Sequence, residues 1–172
     1  MSIDPILSQL LQANKLFELA SLLTGDETVR TMIVSADVMA VVSPPFADTE
    51  EGLRHGELRA WMDAFSEGAE LTVAEDPDRK PPDAMLARVH NVDDEFWSIR
   101  VTEPEDTAGI RSLGAFAAKD KFLALTWEYR EDMTDFDSHV QGVQQDWDDL
   151  FGSEPPFFGD RLDEYLTNYR AV

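Results

Sequence analysis

Between Lys121 and Tyr129 the chain reads Phe122-Leu123-Ala124-Leu125, apolar at four successive positions. A strand sends successive side chains to opposite faces, so this run has no face to give to water. It belongs in the middle of a sheet. Three segments before it have strand length and end in turn residues, namely 84–90, 95–102 and 109–117. Connections this short favour an antiparallel meander. A further strand is read at the start of the same region, where Ala69, Leu71 and Val73 alternate with Glu70 and Thr72.

Helical spacing flanks this block. Asp4 and Pro5 read as the cap and first position of a helix over 5–24, with Ile6, Leu10, Ala13, Phe17 and Ala20 recurring on one face and Gly25 as its stop. A second helix over 49–67 carries Leu58, Trp61, Met62 and Phe65, with Asp48 and Glu51 as its capping pair. Between them, Met32-Ile33-Val34 and Val38 to Val42 read as one or two buried strands, ended by Pro44-Pro45. After the sheet, Val140, Val143, Trp147 and Leu150 mark a helix that Ser138 and Gln141 cap and Gly152 stops. A short last helix follows Asp160, with Leu162, Tyr165, Leu166 and Tyr169 inside. The expectation is one α+β domain over 1–172. An antiparallel sheet of about four to six strands at 69–130 is covered, mainly on one face, by helices from both chain ends. Residues 136–170 form its acidic helical layer.

Charge bears on partners rather than on fold. The net charge is -21, from 35 acids against 14 bases. Such a surface repels phosphate backbones and anionic headgroups, so neither direct nucleic-acid nor membrane binding is expected. No basic patch stands out along the chain; the nearest, Asp78-Arg79-Lys80, sits among acids and prolines. The acidity is uneven. Residues 131–164 hold eleven acids and one base, whereas 84–130 hold eight acids and six bases. Asp146, Asp148 and Asp149 with the loop aromatics Phe157 and Phe158 are the candidate partner-binding residues, and a basic protein is the partner they suit. No cysteine is present, which removes disulfides and thiolate chemistry. The absence of a basic, apolar leader at Met1-Ser2-Ile3-Asp4-Pro5 and of any apolar run of spanning length makes the cytoplasm the expected location.

Catalytic spacing is scarce. The aspartate clusters lack the alternation, glycine and closing glutamate of a calcium loop, and His55, His90 and His139 have no zinc-type spacing. No phosphate-cradling loop or nucleophile elbow occurs. No metal or cofactor is therefore expected. One stretch, however, runs Glu95-Phe96-Trp97-Ser98-Ile99-Arg100, then Gly109-Ile110-Arg111, then Phe116, then Lys121-Phe122-Leu123-Ala124-Leu125. It resembles the sheet of RelE/HigB-like toxins, in which sheet arginines and a basic tail bind and cleave messenger RNA. The resemblance implies Arg100 and Arg111 as catalytic candidates, since a guanidinium can stabilise charge developing on a phosphate. Where the family places lysines, this chain has Tyr129-Arg130-Glu131-Asp132. Without that role, Arg100 and Arg111 are expected to pair with acids across strands. The sequence thus carries three functional readings. The first is an acidic, non-enzymatic module that docks on a basic protein. The others are a divergent ribonuclease and a nucleic-acid mimic that inhibits a defence or DNA-handling enzyme.

Overall fold

The structure is a computed structural model that describes residues 2–22, 25 and 28–172. One eight-stranded sheet runs through it. The strands are β1 (Leu16–Glu18), β2 (Thr31–Ser35), β3 (Leu71–Ala74), β4 (Leu86–Arg88), β5 (Phe96–Val101), β6 (Ile110–Ala118), β7 (Lys121–Tyr129) and β8 (Tyr169–Ala171), in the spatial order β1-β2-β7-β6-β5-β4-β3-β8. The four strands β4 to β7 form the antiparallel meander that the short connections imply. The sheet as a whole is mixed, because β2 runs parallel to β7 and β3 runs parallel to both β4 and β8. It is therefore wider than four to six strands and not purely antiparallel. β2 and β7 are separated in sequence by α2, α3 and the strands β3 to β6, so their parallel pairing is made without a hairpin.

Both faces are covered, not mainly one. On the first lie α2 (Ala36–Val42), α3 (Glu50–Ser66) and α5 (Leu162–Tyr165), packed over Trp97, Ile99, Ile110, Phe116 and Phe122. On the second lie α1 (Asp4–Gln12) and α4 (Phe136–Phe151), packed over Ile33, Phe96, Leu113, Ala115 and Leu123. Helices from the two ends of the chain do share a face, and α1 touches α4. β7 sits between the layers: Phe122 and Ala124 feed one core, Leu123 and Leu125 the other. That is the burial its four apolar residues demand.

Four local expectations fail, each for a physical reason. The helix read over 5–24 stops at Gln12, because Asn14 takes a left-handed φ of 54° and Leu16–Glu18 turn back to pair with β2. The rest of that reading reaches Leu23 and Thr24, outside the described residues. Val38 to Val42 are helical rather than extended. The Ser35 hydroxyl accepts from the Val38 N–H at 3.2 Å, and Val38 and Val42, four apart, bury one edge of α2. The capping residues differ too. Ile3 rather than Asp4 is the N-cap position of α1, Thr49 rather than Asp48 caps α3, Asp135 rather than Ser138 caps α4, and Arg161 rather than Asp160 is the N-cap position of α5. Finally, Tyr169 belongs to β8 and not to a helix. Arg30, its side chain fully buried, helps hold that segment in place by donating to the carbonyls of Phe65, Ala69, Thr167 and Asn168.

Candidate functional site

The sheet register decides which charges meet. Arg100 on β5 stands directly opposite Arg111 on β6. By alternation from Phe96 and Leu113, both lie on the α1/α4 face, at the end where the 75–85 loop and residues 130–136 take over the cover from α4. Lys80 arrives from that loop and Arg130 from the end of β7, and both cations lie over the Phe136 ring, at 5.6 and 6.0 Å from its centroid. Four bases spread over fifty residues of sequence thus converge. The fold builds a basic patch that no stretch of the chain announces, which corrects the expectation that none exists.

These bases are not paired. Across the molecule Arg54 grips Glu131 through both nitrogens, Arg88 grips Glu95, Arg59 holds Asp63, and Lys121, Arg161 and Arg170 each have an acid within 4.0 Å. Among the described residues, none of Lys80, Arg100, Arg111 and Arg130 does. Cross-strand pairing of Arg100 and Arg111 with acids is therefore overturned. The one carboxylate in register with Arg111 is Glu128, which instead accepts the Tyr129 N–H at 2.9 Å. The guanidiniums rest on backbone carbonyls: Arg100 on Pro81 and Ala84, Arg111 on Val101 and Ile110, Arg130 on Met133. Burial, and then the neighbouring Arg100 and Arg130, lower the Arg111 pKa from 12.5 to about 10. Burial, and then Arg100, lower the Lys80 pKa against the pull of Asp78, with Arg111 and Arg130 adding to it; burial, and then Arg130, lower the Arg100 pKa against Asp83.

A second charged feature lies farther along α4. Phe96, Trp147, Pro155, Pro156 and Phe158 line a groove of about 410 Å³ whose rim carries Asp93, Asp94, Asp148 and Glu154 and no base, with the buried Glu95 also in its lining. Glu95 also belongs to a buried network. Arg88 Nη2 donates to both Glu95 oxygens at 2.7 Å and to the Tyr165 hydroxyl at 2.8 Å, and that hydroxyl donates to Glu95. Burial and the bond to Glu95 push the Tyr165 pKa up to about 12. The charge of Glu95 is thus compensated. The side chains of Asp93 and Asp148 have no hydrogen-bond or ion-pair partner among the described residues.

The residues proposed for a partner separate here. Asp148 and Phe158 line the groove, and Phe158 is 64% exposed. Phe157 is a plug: it is half-buried, its ring meets Tyr165 edge-on at 5.6 Å, and its N–H is held by the Phe116 carbonyl. Asp146 and Asp149 line a different depression, with Lys15, Asp37 and Leu125. There, burial and then the charges of Asp149 and Asp37 raise the Asp146 pKa.

The sequence names Lys80 and Arg130 only within Asp78-Arg79-Lys80 and Tyr129-Arg130-Glu131-Asp132, and gives neither a place in a site. The usable signal was the hairpin itself: Arg100 and Arg111 are equidistant from the middle of the 102–109 connection, so an antiparallel pair must set them side by side. The histidines stay apart. His55 contacts the Tyr129 hydroxyl at 2.7 Å and His90 contacts Asp78 at 3.0 Å. Among the described residues no group of three or more histidine or acidic side chains is placed to hold a metal ion, and no helix is long and apolar enough to cross a membrane. No protein-family model, curated protein or solved structure matches the chain.

Proposed function

We propose that the protein is a non-enzymatic binding module that docks on a basic partner protein through the groove between α4, the 91–95 turn and the 153–158 loop. One observation carries this reading: a concave, aromatic-lined surface rimmed by acids and free of bases, with Phe158 standing exposed at its edge. A lysine or arginine of the partner lays its stem on Phe158 and the Pro155-Pro156 segment and places its charge between Asp93 and Asp148. The surrounding negative charge speeds encounter with such a partner and makes the complex salt-sensitive. The test is capture of basic proteins by the immobilised full chain, at low salt and again at about 0.5 M, where charges are screened beyond a few ångströms. Capture should fail at high salt and with the double variant Asp148→Asn, Phe158→Ala. Capture of nothing basic at low salt, or capture indifferent to both changes, ends this reading.

A second reading keeps Arg100 and Arg111 as residues of a divergent ribonuclease. It is favoured by their opposed placement without carboxylate partners. Expression should then arrest growth and Arg111→Ala should relieve the arrest; harmless expression of the wild-type chain removes it.

A further inference from the structure

We infer that Lys80, Arg100, Arg111 and Arg130 form a binding site for a compact, multiply charged oxyanion of the phosphate class. The starting point is a cost. Burying like charges side by side without counter-charges is unfavourable, and folded chains avoid it by pairing them or shifting their protonation. This chain has acids in abundance, -21 net, and uses them to pair its other arginines. Leaving these four unpaired is a feature of the site, not a shortage of carboxylates. Unsatisfied, concentrated charge of this kind is where ligands of opposite sign are received.

The donors are arranged for it. Arg100 and Arg111 each fix one terminal nitrogen, Nη1, on backbone carbonyls. Their other guanidinium nitrogens make no hydrogen bond and are not fully buried. Anchoring at one nitrogen orients the fork and leaves the rest of it to meet a phosphoryl group, the geometry in which arginine binds oxyanions best. Lys80 and Arg130, both lying over the Phe136 ring, add two further charges to the cluster. Size follows from the surroundings. Asp78 and Asp83 act electrostatically on Lys80 and Arg100, and Glu131 and Asp132 follow Arg130 directly. Asp78 and Asp83 are thus felt by the cluster itself, within the roughly 10 Å screening length at 0.1 M salt. A long polyanion would run out over these acids; a phosphate, a pyrophosphate or the phosphoryl end of a small molecule keeps its charge within the cluster.

The site is independent of the acidic groove. Titration calorimetry of the full chain at low ionic strength, with inorganic phosphate, pyrophosphate, a sugar phosphate and a single-stranded RNA oligonucleotide, tests it. Pyrophosphate should bind, and Arg130→Gln, at an exposed position that leaves the core untouched, should weaken it about tenfold, the loss of one charge-assisted contact. Arg111→Gln should weaken it further, and Lys119→Gln, a base outside the cluster, should not. Binding of the sugar phosphate more tightly than inorganic phosphate assigns the site to an esterified ligand, and the reverse order to the free ion; both support it. No binding by phosphate or pyrophosphate in millimolar excess overturns the proposal. So does binding that the Arg130 and Arg111 variants leave intact. RNA that binds more tightly than pyrophosphate and is lost with Arg130→Gln overturns it in favour of a nucleic-acid surface.

Discussion

Arg88 and Arg111 are two guanidiniums on one sheet, two strands apart, and both are largely removed from water. Arg88 spends its charge inside the protein. It holds both oxygens of Glu95, bonds the Tyr165 hydroxyl, and lies 5.1 Å from the Trp97 ring centroid. Arg111 meets only carbonyls and other cations. The difference teaches how to tell a structural charge from a waiting one in the same fold. A charge whose partners are all internal is part of the scaffold. A charge whose neighbours repel it is held there at a cost that only an absent partner offsets.

That contrast can be broken by mutation. The largest effect belongs to Arg88→Met, which strands Glu95 as a buried, unpaired carboxylate. Unfolding in urea should show a loss of about 3 kcal/mol, and adding Glu95→Gln should restore part of it. Arg111→Gln should go the other way. Relief of repulsion should raise the stability of the ligand-free protein by about 1 kcal/mol, seen as a melting temperature higher by about 3 °C at low salt. If Arg111→Gln destabilises as much as Arg88→Met, the two arginines are alike and the distinction falls. The groove variant Asp148→Asn, Phe158→Ala should leave stability within about 0.5 kcal/mol of the wild type, since both side chains are surface residues outside the buried network.

The smallest expected effect is on pH dependence. Burial lowers the His55 pKa below its usual 6.5. The unfolded chain then takes up this proton first, so the contribution of His55 to stability is complete above about 6.5 and is lost as pH falls through the lower folded value. His55→Gln should flatten that component of a pH–stability profile. A profile unchanged by the substitution would show that the contact with Tyr129 is not sensitive to protonation.

Much of the fold was legible because its signals are local. β4 to β7 were found from strand-length runs with turns between them, and α3 and α4 from apolar stripes at helical spacing. The failures were tertiary. Val38 to Val42 carries β-branched residues, and nothing nearby outweighs them until Ser35 is seen to cap a helix whose Val38 and Val42 face a preformed core. β1 and β8 have three residues each, too few to show a period, and each exists because a longer strand offers it an edge. The groove was half legible: Asp148 and Phe158 were named, while Asp93 and Asp94 come to them only through packing. Of the cationic cluster, Arg100 and Arg111 could be paired on paper by hairpin symmetry, but Lys80 and Arg130 join them through a loop and a strand end whose placement no spacing encodes.

The pairing of β6 with β7 slips between Leu113 and Gly114, where Thr126 and then Ala124 are the partners and Leu125 is left over. That one surplus residue resets the parity of the strand. Before it, even-numbered positions address the α2/α3 layer; after it, Trp127 and Tyr129 do, and Glu128 is turned toward the side of Arg111. Deleting Leu125 would restore strict alternation and keep Trp127 and Tyr129 toward α2 and α3, at the loss of one side chain from the α1/α4 core. Straightening the strand with Leu125 retained would instead transpose the outer half of β7, sending two aromatics toward the cationic end and a carboxylate toward the core beneath α3.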